Sequence, residues 1–413
     1  MPRPVNATDV NVVFCPGDQP TWFAIQNEGQ PWYVVSRIPR QGYSLAVSQK
    51  VVVAYGRTIL GANLSSAVKV LFVTAEELAK ASCGATIGDK TVYANISGLA
   101  SNDLVFATIS GGFGRTDPFY VAGGSATQVR IEGVAEGPGD MLAYLLAQTG
   151  DRPKYLLRHG VDAPNRSLLA PRDFTSAEAA YTLRFPMTVA GGANANVVAT
   201  FVSARGTVRE LGMTTVANGS GIYMALPQTL LATGDLHRQA ATATDGRYTS
   251  VYSASLGQLD LTLGPVLPTP TVTSVGSVPA LRMRATLPGQ AEYPAFASAT
   301  FYQGALFNRS MTVVVSAGYL GGSPSQWELE VPSLPFLLAE AQLQGGVETQ
   351  WHVEAWNSSA GLFFGHGGAT DGSVVRCAIA TSLSTLTPRG CRSPLLSLPP
   401  GTPAELGAIS LSP

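Results

Sequence analysis

Charge is what this sequence has least of. Asp, Glu, Lys and Arg make up 13% of its 413 residues, about half the usual share of a globular chain. The net charge is −1. Its basic residues are scattered, with no run and no Arg-rich helix, which excludes nucleic acid and anionic lipid as electrostatically recognised partners. No apolar run approaches the ~18 residues of a membrane-spanning helix. Met1-Pro2-Arg3-Pro4-Val5 lacks the apolar core of a signal peptide, so the chain is read as a mature form carrying a start Met.

The familiar signatures of catalysis and cofactor binding are also missing. There is no Gly-x-Ser-x-Gly elbow, His-Glu-x-x-His, dinucleotide fingerprint, phosphate loop or EF-hand, and neither a cofactor nor a metal is expected. Gly111-Gly112-Phe113-Gly114 lacks the helix and the Lys-Ser/Thr of a phosphate cradle and reads as a turn, and Gly365-His366-Gly367-Gly368, an oxyanion-loop sequence in isolation, reads without a nucleophile elbow as a glycine-rich loop. The four His residues do not stand at metal-finger spacing from any Cys. Seven Asn-x-Ser/Thr sequons, at Asn6, Asn63, Asn95, Asn165, Asn218, Asn308 and Asn357, are what a Ser/Thr-rich chain produces by chance.

What is present is apolar residue in quantity: 45% of the chain is hydrophobic, which excludes disorder. A chain this long exceeds one ordinary core. Short alternating runs between Gly/Pro/Asn turns predict an all-β protein with very little helix, built as tandem antiparallel β-sandwiches of immunoglobulin-like or prealbumin-like type. The predicted modules are residues 1–84, 85–181, 182–267 and 268–413, the last ending in a Pro-rich tail. Leu267-Pro268-Thr269-Pro270-Thr271 reads as a semi-rigid linker, and Asp245-Gly246 as a type I′ hairpin turn. Thr74 and Glu77 predict a capping box before one helical turn. Asp173 to Ala180 and Ala339 to Leu343 are further helix candidates.

Four cysteines allow three connectivities. Placement favours Cys15–Cys83 and Cys377–Cys391, and bridges imply an oxidising compartment. Together with a surface of Ser, Thr, Asn, Gln and Gly, this gives a secreted, periplasmic or cell-surface location. Lys is scarce beside Arg, Ala, Gly and Pro, a composition of high-GC bacteria.

The plainest local pattern is Thr127 to Tyr144. Val129 and Ile131 alternate with Gln128, Arg130 and Glu132, a Gly/Pro turn runs from Gly133 to Gly139, and an apolar, buried strand follows from Met141 to Leu146; the stretch reads as a hairpin. It resembles the carboxypeptidase-regulatory-like or transthyretin-like β-sandwich over about twenty residues. The resemblance implies an accessory module of a secreted bacterial protein and no particular chemistry.

Three groups stand out as candidate sites. In Trp351-His352-Val353-Glu354-Ala355-Trp356, alternation places His352, Glu354 and Trp356 on one strand face, a platform on which a sugar ring stacks. The structural alternative is a covered, core Trp356. His159, beside Arg158 and Asp162, is the nearest thing to a polar cluster in its module, and a lone loop His is more often solvated than functional. Glu328, Glu330, Glu348 and Glu354 are carboxylates available for glycoside hydrolysis, Glu328 and Glu330 sharing a strand face, with nothing to single out a pair. Trp22 and Trp32 are read as core. The functional expectation is a structural, adhesive or ligand-binding scaffold whose partner is a surface glycan, a polymer or another protein. The rival is an extracellular polysaccharide or ester hydrolase with a β-sandwich catalytic domain.

Overall fold

A computed structural model describes residues 4, 7–12, 20–35, 43–59, 65–79, 90–100, 103–109, 119–120, 126–146, 153–192, 194–276, 280–304, 308–358 and 369–382. The fold is all-β with little helix, as the turn rhythm and alternation predict.

The first segment forms strands β1 (Thr8–Val12), β2 (Trp22–Asn27), β3 (Tyr33–Val35), β4 (Tyr43–Val47), β5 (Lys50–Ile59) and β6 (Ser65–Thr74). Helix α1 (Ala75–Ala79) follows at once. Its capping box forms as predicted: the Thr74 N–H donates to Glu77 Oε2 at 2.8 Å and the Glu77 N–H to Thr74 Oγ1 at 3.2 Å, satisfying amides that a helix start leaves orphaned. Among the described residues β1 pairs with β4 alone, while β3, β2, β5 and β6 run side by side in that order.

The second segment supplies β7 (Lys90–Ser97), β8 (Leu104–Ile109), β9 (Phe119–Tyr120), β10 (Ala126–Val134), β11 (Gly139–Leu146), β12 (Lys154–Val161), β13 (Leu168–Asp173) and β14 (Ala180–Tyr181). β10 and β11 are not a hairpin: β10 pairs with β7 in a three-stranded sheet, and β11 with β8 and β12 in a five-stranded one. The turn carries the chain from one sheet across to the other. Val129, Ile131 and Val134 of β10 then meet Met141, Ala143 and Leu145 of β11 in one core between the sheets. Both strands bury an apolar face, so the pattern alone fits an arch as well as a hairpin. Asp173 to Ala180 is also not helical. Asp173 Oδ1 accepts from the Thr175 N–H at 2.8 Å, which holds the segment in turns.

The third segment contributes β15 (Leu183–Ala190), β16 (Asn194–Val202), β17 (Val208–Ala217), β18 (Ser220–Ala225), β19 (Leu236–Ala243), β20 (Tyr248–Ser253) and β21 (Leu259–Thr262). The β19–β20 hairpin forms at Asp245-Gly246. Only Gly246, at φ 84°, takes positive φ there, so the turn is not type I′. The Ala243 N–H donates to Arg247 O at 2.8 Å, the closure of a longer hairpin loop with Gly in the left-handed position.

The fourth segment gives β22 (Thr271–Gly276), β23 (Arg282–Pro288), β24 (Phe296–Gln303), β25 (Arg309–Ser316), β26 (Gln326–Glu330), β27 (Thr349–Ser358) and β28 (Val374–Thr381), with helix α2 (Ala317–Leu320). Ala339–Ala341 is a 3-10 turn.

One sheet of fifteen strands joins the first, third and fourth segments, in the order β21-β15-β18-β17-β16-β19-β20-β28-β27-β24-β25-β6-β5-β2-β3. It crosses predicted module boundaries by ladder hydrogen bonds: β25 runs parallel to β6 and β20 antiparallel to β28. Its two faces are covered by different layers. On one, Val10, Val12, Leu45 and Val47 of β1 and β4 pack with Phe296, Val314, Trp356 and Cys377. On the other, Met283, Leu287, Trp327 and Leu329 of the β22-β23-β26 sheet pack with Ala299, Phe301, Val313 and Val353. Further along that same face, Leu142, Tyr144, Tyr155 and Leu157 of the second segment pack with Val197, Phe201, Val216 and Ala241.

The predicted linker is packed down. Leu267 is buried among the β22-β23-β26 core residues, and Tyr293 Oη donates to Pro265 O at 2.7 Å. Trp22 and Trp32 both place an edge against Phe336, at 5.4 Å, consistent with a packing role. Cys377 is buried and is not a free thiol; Cys15, Cys83 and Cys391 lie outside the described residues, as do both glycine-rich turns. Among the described residues, no helix is long and apolar enough to cross a membrane.

Candidate functional site

Alternation along β27 does put His352, Glu354 and Trp356 on one face. Register sets each between neighbours on β24 and β28: His352 beside Thr300 and Thr381, Glu354 beside Ser298 and Ile379, Trp356 beside Phe296 and Cys377. Glu354 gathers the group. Its Oε1 lies 3.0 Å from His352 Nε2, and its Oε2 accepts from Trp356 Nε1 at 3.1 Å and from Ser298 Oγ at 3.4 Å.

This face is not an open platform. Trp356 is 4% exposed and Glu354 7%, and the indole stacks on Phe296 with centroids 5.5 Å apart and planes within 10°. β27 lies in the interior of the large sheet, where both faces are layered over. The indole ring that a sugar would need is already in contact with protein, and its N–H is bonded to Glu354. The expected stacking site is therefore replaced by a core Trp with a satisfied polar edge.

A second cluster forms where the second and third segments meet. β11 and β12 carry Asp140 and His159, the turn between β16 and β17 carries Arg205, and Asp235 precedes β19. His159 Nδ1 is 3.4 Å from Asp140 Oδ1, and Nε2 is 3.5 Å from Asp235 Oδ2 and 3.0 Å from Leu230 O. Arg205 Nη1 and the Gly160 N–H both donate to Asp140 Oδ1 at 2.9 Å. Asp235 accepts from the Ala204 and Ala232 N–H groups, each at 2.9 Å. Both carboxylates are fully buried, while the His159 side chain is 26% exposed.

Burial alone would raise the Asp140 pKa. Hydrogen bonds from Gly160, Ser203 and Arg205, with His159 alongside, outweigh it and hold the carboxyl below its ordinary value. The donor set of two carboxylates and an imidazole suits a cation by type. One donor atom from each of the three residues lies within 4.8 Å of the others, but Asp140 Oδ1 already accepts from Arg205 and from the Gly160 N–H. Arg205 already supplies the positive charge at Asp140. The cluster reads as a hydrogen-bonded clamp between two sheets.

The sequence marked His159 but not its partners. Arg158, its chain neighbour, points to the opposite strand face and pairs with Glu178, and Asp162 is exposed. Asp140, Arg205 and Asp235 are distant in sequence and carry no local motif. Glu328 and Glu330 do share a face of β26, but Glu330 is engaged by Arg284 Nε at 2.9 Å and by Arg282 at 3.5 Å. Two open surface concavities, about 620 and 450 Å³, are lined by Thr188–Gly192 with Asn218 and Gly219, and by Asn95–Ser97, Ala126–Gln128 and Pro171. Neither lining contains an ionisable side chain.

No protein-family model matches the chain, and no curated protein matches it.

Proposed function

We propose that the chain is a secreted or surface-displayed scaffold, structural, adhesive or ligand-binding, that performs no catalysis. The observation that carries this reading is the fifteen-stranded sheet gathered from three of the four predicted modules and layered on both faces. The polar groups around Glu354 and His159 in this body are engaged by intrachain contacts. Its partner would be a glycan, a polymer or another protein, met on an outer surface and not in a deep pocket.

Within this reading the second segment is an accessory sandwich of carboxypeptidase-regulatory-like type, an assignment supported by its two facing sheets. Bridges Cys15–Cys83 and Cys377–Cys391 would suit an oxidising, extracytoplasmic setting.

The test is a glycan and polymer screen for both binding and turnover on the intact chain. Binding without turnover is expected. Hydrolysis of any polysaccharide or ester that disappears in Asp140→Asn or His159→Gln would replace the scaffold with the hydrolase.

A further inference from the structure

Among the described residues, Arg238 presents a buried charge that no carboxylate balances. The residue is 8% exposed, on the sheet face that carries Leu236, Ala240, Tyr248 and Tyr252. Among the described residues its one hydrogen bond is from Nη2 to Tyr248 Oη, and its guanidinium stands 5.9 Å from the Tyr248 ring centroid. Nε is buried with no partner. No described carboxylate pairs with it. A guanidinium cannot escape by losing its proton, and an uncompensated buried charge is among the costliest features a fold can hold.

Register shows what surrounds it. Arg238 is opposite Tyr252, Ala240 opposite Ser250, and Thr242 opposite Tyr248. Between Tyr252 and Tyr248, on the same strand face, stands Ser250. That residue is fully buried, and among the described residues its Oγ also has no partner. Tyr248 Oη accepts from Arg238, which leaves its own proton available to donate. Three donors therefore belong to one small region: Arg238 Nε, Ser250 Oγ and Tyr248 Oη. Burial pushes the Tyr252 hydroxyl up to about 12, so no phenolate supplies the missing charge from that side at neutral pH. The neighbour across β16 is the neutral Thr200.

We propose that this region binds a small inorganic anion of chloride's size, held by Arg238 with the Ser250 and Tyr248 hydroxyls. The donors satisfied in this way are those left over by the protein, and a halide suits a site among tightly packed side chains better than a larger oxyanion does. The anion neutralises the guanidinium inside the layer that covers the sheet, so its role is to complete the fold of the third segment. It is independent of the scaffold's outer partner.

The experiment compares thermal unfolding of the intact chain in sodium chloride and in sodium gluconate at matched ionic strength, after exhaustive dialysis against gluconate. A saturable rise in melting temperature with chloride is expected for the wild type, with chloride NMR line broadening that bromide competes away. Ser250→Ala should weaken the apparent affinity by about tenfold, the scale of one hydrogen bond to a charged group. Arg238→Met should abolish both signals while remaining folded, since a buried charge exchanged for an apolar side chain is commonly neutral or stabilising. If Arg238→Met does not fold, the wild-type line broadening decides. Equal melting temperatures in the two salts without line broadening, an equal chloride effect in Arg238→Met, or a response to phosphate but not chloride overturns the proposal.

Discussion

Ser316 Oγ donates to Glu77 Oε2 at 2.6 Å across 239 positions of sequence. Glu77 closes the capping box of α1, and Ser316 is itself the N-cap of α2, accepting from the Tyr319 N–H at 3.0 Å. One carboxylate thus ties two helix starts together beside the parallel β6–β25 pair, where the first and fourth segments join. Glu77→Ala removes the cap partner and leaves Ser316 and the Thr74 amide without their acceptor. A loss of about 1 to 3 kcal/mol is expected, read as a lower urea midpoint at unchanged slope. A midpoint equal to wild type would show that the junction does not depend on this contact.

Trp356→Ala should be strongly destabilising. The indole stacks on Phe296 and donates to Glu354, so truncation opens a cavity and leaves a buried carboxylate with one donor fewer. The cost expected for a core Trp is roughly 3 to 5 kcal/mol. Denaturant unfolding of the variant checks it. Wild-type stability joined to lost glycan binding would restore the exposed platform.

The difference between those two readings shows what the sequence could and could not disclose. Period-2 alternation correctly put His352, Glu354 and Trp356 on one face, because the pleat is a local property. What covers a face is not local. β1 and β4, more than 300 residues from Trp356, lie over it, and no pattern on β27 records that. The same gap explains Thr127 to Tyr144, where alternation found both strands but could not say that their partners are β7 on one side and β8 and β12 on the other. His159 was visible as a residue type, whereas the clamp it belongs to exists only once Asp140, Arg205 and Asp235 converge. Capping at Thr74 and Glu77 was legible because both halves of the motif sit within one turn.

The stretch from Gly264 to Thr271 should resist proteolysis in the native state. Its prolines suggest an open linker, but Leu267 is buried, the Pro265 carbonyl accepts from Tyr293, and Arg247 Nη1 donates to Gly264 O at 2.8 Å. Gly264 also has no room for a side chain: a Cβ there would stand 2.3 Å from Tyr293 Oη. Gly264→Ala should therefore displace the Tyr293 ring and expose the segment. Limited proteolysis followed by mass spectrometry should show no early cut between 264 and 271 in the wild type and a new one in the variant. Preferential wild-type cleavage there would mean that the segment detaches.

The acid limb of stability should contain a resolvable contribution from His237. The side chain is fully buried in β19, with Phe201 6.0 Å away ring to ring and Nε2 accepting from the Leu226 N–H at 2.9 Å. That hydrogen bond needs a neutral ring with a lone pair on Nε2, and burial pushes the pKa down from 6.5 to about 4. Between these values the unfolded chain holds the proton and the folded chain does not, so stability rises with pH across the window. The contribution is complete above about pH 6.5 and is lost as pH falls towards 4, on the order of 3 kcal/mol in total. His237→Gln keeps an acceptor for the Leu226 amide and does not titrate. Urea unfolding measured from pH 4 to 7 should accordingly give a shallower acid limb for His237→Gln than for wild type, with the two curves differing in slope inside that interval and running parallel above it. Identical slopes would mean that His237 becomes protonated in the folded chain without cost, and that the acid limb belongs to the carboxylates.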